Sequence, residues 1–141
     1  MSFTPVDARE FIPQQAPFVM VDELIYADEG TSRTTLRITD QNLFATEGFF
    51  STAGLVEAIA QTAAAGTGYA QKIKQEPVPV GFIGAVQRLE VYDWPLVNQE
   101  IVIETKLQAN LMQVSLVSGT VKMNDRLMAS CELKIFISHH S

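Results

Sequence analysis

The chain has 141 residues and a mass of 15.6 kDa, the size of one domain and enough to bury roughly two-thirds of the surface of the unfolded chain. Hydrophobic residues make up 47% and charged residues 18%, with 8 Gly and 6 Pro, which argues against disorder, collagen and low complexity and predicts a single domain over residues 1–141. Ten Lys and Arg against sixteen Asp and Glu give a net charge of −6, so no broad cationic field for nucleic acid or an anionic membrane is expected.

The first ten residues carry no apolar stretch of the kind a secretion signal needs, and no segment reaches the roughly 18 apolar residues of a membrane span. Neither export nor insertion is expected. A short helical turn is predicted over 7–11, capped by Asp7 and halted before Pro13, because the residue preceding proline is pushed out of the helical region. Residues 18–26 are rich in β-formers, Asp28-Glu-Gly30 is a turn, and 32–38 alternates polar and apolar side chains, so a first hairpin is expected. The stretch 40–50 reads as irregular.

Ser51 or Thr52 can then cap a helix over about 53–74, dominated by alanine with Leu55, Ile59, Tyr69 and Ile73. Small side chains on most of its faces allow other backbone to approach from several directions, so this helix is predicted to be the central, wrapped element. Gln75-Glu-Pro-Val-Pro79 ends it, and strands are predicted over 80–92, 100–109, 113–123 and 126–137. In the second of these strands Ile101, Ile103, Thr105, Leu107 and Ala109 share one face, while Glu104, Lys106 and Gln108 take the other. Asn124-Asp125 tolerates positive φ and predicts a tight hairpin that puts Leu127, Ala129, Cys131, Leu133, Ile135 and Ile137 on one face. Hairpin, buried helix and antiparallel meander together make an α+β layout in which a curved antiparallel sheet covers one long helix.

Chemistry concentrates at the entrance of that helix, where unpaired backbone N–H groups and the positive dipole end favour an oxyanion or a polarised carbonyl. Glu57, one turn inside, is the one acid between residues 48 and 70, and Gln61 lies one turn further along the same face. Such surroundings are expected to desolvate the carboxylate and raise its pKa, which suits proton transfer. The alternative role for Glu57 is structural: stabilising the first turn, or pairing with a basic strand residue such as Arg88. His139 and His140 read as solvated tail residues, and Cys131 as a packed thiol. A lone cysteine forms no internal disulfide and has no His or Cys at metal spacing, which excludes disulfide scaffolds and zinc modules and fits a reducing cytoplasm. Gly81 and Gly84 mark close approach of a ligand or, equally, a bulge or a helix contact, and Asp22 reads as a turn or cap residue. With no phosphate loop, serine elbow or carboxylate cluster, no cofactor or metal is expected.

The string Phe11-Ile-Pro-Gln-Gln-Ala-Pro-Phe-Val-Met-Val-Asp22 resembles the opening Leu-Pro-His-Arg-x-Pro-Phe-Leu-Leu-Val-Asp of the 3-hydroxyacyl-acyl carrier protein dehydratases of the hotdog fold. Glu57-Ala-Ile-Ala-Gln61 resembles that family's Glu-Ala-Met-Ala-Gln on the central helix, and Phe82-Ile-Gly-Ala-Val86 with Glu100-Ile-Val-Ile-Glu104 resembles its later strands. The resemblance implies a homodimer or higher homo-oligomer with sites at the subunit boundary, an acyl chain in a tunnel, and a thioester delivered on acyl carrier protein or CoA in fatty-acid or polyketide-type metabolism. It also implies that Glu57 is the acid/base residue, with Gln61 as its orienter and the backbone of Thr52, Ala53 and Gly54 as a clamp on the thioester carbonyl. Leu43, Phe44, Phe82 and Gly84 would line the substrate site.

In that family the second catalytic group is a histidine in a Gly-His-Phe-Pro-Gly loop. Counting back from Glu57 without gaps, Asn42-Leu-Phe-Ala-Thr46 stands in its place, with Leu43 at the histidine position, and no histidine precedes His139. Leucine has no proton to accept or donate. Ser51-Thr52 occupies the Pro-Gly step at the helix entrance, and Gln14-Gln15 replaces a His-Arg pair. Three activities are compatible with these residues: dehydration of 3-hydroxyacyl thioesters with a substituted partner group, thioester hydrolysis using Glu57, and a non-catalytic acyl-binding subunit that pairs with a histidine-bearing paralogue in a hetero-dimer. Lys72, Lys74 and Arg88 are the candidate contacts for an acidic carrier protein; their alternative role is that of ordinary solvated residues.

Overall fold

A computed structural model describes residues 3–78 and 80–138. Strand β1 (Val6–Asp7) leads into a 3-10 turn (Ala8–Phe11), and the Asp7 carboxylate accepts from the Arg9 N–H at 3.0 Å, the cap expected from the sequence. Strands β2 (Glu23–Ala27) and β3 (Thr31–Arg37) form the first hairpin, closed by Asp28, whose carboxylate accepts from the N–H groups of Gly30 and Thr31 at 2.9 and 2.8 Å. The strand begins five residues later than its composition suggests. Residues 18–22 stay outside the ladder because a helix side chain takes the place of a neighbouring strand: Gln61 accepts from the Met20 N–H and donates to the Phe18 carbonyl. The segment read as irregular contains a miniature hairpin, β4 (Ala45–Thr46) and β5 (Phe49–Phe50), turning through Glu47 and Gly48 at φ 53° and 87°.

Helix α1 (Thr52–Ile73) is capped by Ser51, whose hydroxyl accepts from the Gly54 N–H, and ends at Lys74. Its small residues do what the composition implies. A Cβ on Gly68 would overlap the Phe11 carbonyl oxygen, one on Gly66 would overlap the Ser32 hydroxyl, and Gly119 is pressed against Ile59. Thr62 donates to the Ala58 carbonyl at 2.7 Å and meets the Thr34 hydroxyl at 2.7 Å, so a buried polar pair joins α1 to β3 with its hydrogen bonds made.

Four long strands follow: β6 (Val80–Val91), β7 (Glu100–Leu111), β8 (Val114–Met123) and β9 (Arg126–Ser138). The seven-stranded antiparallel sheet has the order β1-β2-β3-β7-β8-β9-β6 and curves around α1, which is the hotdog arrangement. Met20, Ile38, Phe50, Leu55, Ile59, Ile101, Ile103, Val121 and Leu133 are buried between helix and sheet. Asn124 and Asp125 turn at φ 50° and 65°, as their residue types predict.

Two facial assignments from strict alternation need correction, and a bulge explains each. A register shift between Val121 and Lys122 turns the start of β9, so Met128 is buried and Leu127 is exposed. A second shift, between Leu107 and Ala109, pairs Ala109 with Leu116 and turns it off the face of Ile101, Ile103 and Thr105, while Leu107 keeps that face opposite the buried Val117 although it is itself exposed. Among the described residues no helix is long and apolar enough to cross a membrane. His139 and His140 lie outside the described residues.

Candidate active site

Glu57 sits in the second turn of α1, half-buried rather than sealed away from solvent. Residues four apart on a helix lie one above the other, and here the Gln61 amide donates to the Glu57 carboxylate at 2.8 Å. Gln61 is fully buried and its amide is spent on three partners: the carboxylate, the Phe18 carbonyl at 2.8 Å and the Met20 N–H at 2.6 Å. With both of its ends held by main chain, Gln61 has one way to face, and it fixes one carboxylate oxygen of Glu57. The ion pair between Glu57 and Arg88 is not formed; the Arg88 guanidinium lies 3.6 Å from Glu132 on the sheet.

The helix entrance lies one turn before the acid. The Ser51 hydroxyl covers the Gly54 N–H at 3.3 Å, and Gly54 is itself buried beneath the ring of Phe50 and the Cβ of Phe44. The N–H groups of Thr52 and Ala53 have no acceptor among the described residues, and Ala53 is exposed, so the helix entrance leaves these two donors open while the Gly54 N–H is covered. The loop carrying Leu43 and Phe44 is anchored on this first turn: the Ser51 N–H donates to the Phe44 carbonyl at 2.9 Å. Leu43, at the expected histidine position, is 49% exposed, and Phe18, whose carbonyl Gln61 holds, is 55% exposed. The acid therefore lies beside apolar surface that one chain leaves uncovered.

Phe82 and Gly84 are not brought to Glu57 within the chain. Phe82 is paired with Phe136, on the side of the sheet opposite the buried Leu133, and Gly84 lies under the Phe136 ring in a bulge of β6, the bulge alternative considered for it. Two surface depressions are lined by Arg33, Glu104, Thr120 and Lys122, and by Arg88, Glu90, Ser130 and Glu132; neither includes Glu57. Cys131 is a packed thiol, and burial pushes its pKa up to about 11. Asp22 ties the chain entering β2 to β3 by accepting from the Arg37 N–H at 2.8 Å. Lys72 lies over the Phe11 ring, 5.2 Å from its centroid. Sequence reasoning did not single out the Phe18 carbonyl and the Met20 N–H, because main-chain groups leave no residue-type signal.

The ApeP-like family, described as ApeP dehydratase, matches residues 6–140. No curated protein matches the chain. Among solved structures, the dehydratase heterocomplex ApeI:P from Xenorhabdus doucetiae has a TM-score of 0.87 at 14% identity, covering 95% of this chain and 92% of that one. A hypothetical thioesterase from Streptococcus pneumoniae TIGR4, solved with coenzyme A, has a TM-score of 0.67 at 8% identity over 83% and 85% of the two chains. The protein smu.793 from Streptococcus mutans UA159, bound to acetyl CoA, has a TM-score of 0.68 at 12% identity over 90% and 95%. At these identities the structural likeness establishes the fold.

Proposed function

The chain belongs to the ApeP-like dehydratase family, and on that premise we propose that it supplies the acidic half of a dehydratase site for 3-hydroxyacyl thioesters, completed by a histidine-bearing second chain. The observation that carries this reading is Glu57, held at one oxygen by a buried Gln61 and open on its other side beside exposed apolar surface. Elimination of water needs one group to take the proton from C2 of the acyl chain and one to hand a proton to the departing 3-hydroxyl. The products are a 2-enoyl thioester and water. Glu57 supplies one of these groups; Leu43 cannot supply the other. The N–H groups of Thr52 and Ala53 would hold the thioester carbonyl as charge develops on it.

Two further observations support a two-chain site. The free edge of β6 carries exposed Phe82, Ile83, Val86 and Leu89, apolar surface suited to another subunit. A neighbour in structure, ApeI:P, is a heterocomplex. The structural neighbours solved with coenzyme A and acetyl CoA support a thioester as the ligand, on CoA or on acyl carrier protein. A fatty-acid or polyketide-type pathway in the cytoplasm is the setting that fits this chemistry.

The test is to assay the chain alone and together with a histidine-bearing family member on 3-hydroxyacyl thioesters, following 2-enoyl absorbance and free-thiol release. The pair is expected to form the enoyl product, and Glu57→Gln to lower the rate about 100-fold or more, the scale of a lost general acid or base. Thiol release without enoyl formation would replace dehydration by hydrolysis. Absence of both products, with no acyl thioester bound, would overturn any thioester function.

A further inference from the structure

We infer that Asn42 is a positioning residue for Glu57, binding the loop that carries Leu43 to the acid through Met20 and Gln61; the inference rests on Glu57 acting on a thioester. The Asn42 carbonyl side-chain oxygen accepts from the Phe44 N–H at 2.8 Å, and its amide nitrogen donates to the Met20 sulfur at 3.4 Å. Its main chain closes the turns on either side: the Asn42 N–H donates to the Thr39 carbonyl and the Ala45 N–H to the Asn42 carbonyl, each at 3.1 Å. From Met20 the connection continues through the Met20 N–H to Gln61 at 2.6 Å and from Gln61 to Glu57 at 2.8 Å. From Phe44 it runs to Ser51 at 2.9 Å and on to the Gly54 N–H at 3.3 Å.

The two arms return to the same helix three residues apart, at Gly54 and Glu57, so carboxylate, helix entrance and loop form one closed ring. Among the described residues the Asn42 amide makes the one hydrogen bond between the 42–46 loop and the 18–20 segment. A side chain without an amide at this position would leave that ring open. Held from both arms, Leu43 keeps its side chain outward while Phe44 packs on Gly54. The distance between the apolar wall and the carboxylate is thereby set by side-chain bonds, where misplacement by a fraction of an ångström lowers turnover more than binding.

Three variants test this in the assembled pair: Asn42→Ala opens both arms, Met20→Leu removes only the sulfur acceptor at nearly constant volume, and the double variant joins them. Asn42→Ala is expected to lower kcat about tenfold with KM changed by less than about twofold, and the double variant to be no worse than Asn42→Ala, because both single changes break one link. Equal kcat per folded molecule in wild type and Asn42→Ala, or additive effects in the double variant, would overturn the inference. A second readout does not depend on turnover: the Gln61 side-chain amide resonances should shift in Asn42→Ala and in Met20→Leu. If the pair proves inert on every thioester, the proposed function fails while these resonances still decide the linkage; unmoved resonances overturn it.

Discussion

The entrance half and the far half of α1 are held by different means. At the entrance, Gln61 is a buried polar side chain surrounded by main-chain groups, and the contacts of Glu57, Ser51 and Asn42 are hydrogen bonds. At the far end, Gly66 and Gly68 let Ser32 and the Phe11 backbone come within reach of the helix axis, and what these two glycines contribute is shape. Direction matters at the first end and volume at the second. A hydrogen-bonded end can present a charged group in a fixed orientation beside uncovered surface, whereas a close-packed end can only hold the helix in place.

Substitutions that remove direction at one end and add volume at the other should separate these two means. Gln61→Leu preserves size but leaves the buried Met20 N–H and the Phe18 carbonyl without partners, and is expected to cost about 2–4 kcal/mol, read as a lower urea midpoint at unchanged slope. Gly68→Ala drives a methyl group into the Phe11 carbonyl, where backbone must move; after the gain of about 1 kcal/mol in helix propensity, a net loss of about 1–3 kcal/mol is expected by the same measurement. Gly66→Ala should cost less, since rotation of the Ser32 hydroxyl relieves the closest overlap and only the contact with the Ser32 Cβ, at 2.8 Å, needs a backbone shift. If Gly68→Ala proved the more costly of the first two, packing and not polar satisfaction would be the dominant restraint on α1. Ser51→Ala should have the smallest effect, below about 1 kcal/mol, because its bond to Gly54 is long at 3.3 Å. A larger effect there would show that the entrance depends on its cap as much as on Gln61.

Legibility in the sequence followed the range of the interactions. The bounds of α1 could be read because its stop and start signals are local: Ser51 caps, and Pro77 and Pro79 forbid continuation. The Asn124-Asp125 turn was readable for the same reason. Strand faces failed at Ala109 and Leu127, where a bulge shifts the alternation by one residue and leaves no mark in composition. The miniature hairpin of β4 and β5 was missed because strands of two residues show no period.

At the candidate site, the pairing of Glu57 with Gln61 follows from helical spacing, so the sequence by itself determined which two side chains meet. It also determined that Leu43 brings no proton-transfer group, since that depends only on residue type. Tertiary structure decided how the pair is held. The partners of Gln61 lie 43 and 41 residues away in the chain and are main-chain atoms, and the Asn42 link to Met20 spans 22 residues. Contacts at that range exist only once the sheet has curved around the helix, because folding and not local propensity brings those backbone groups to one point.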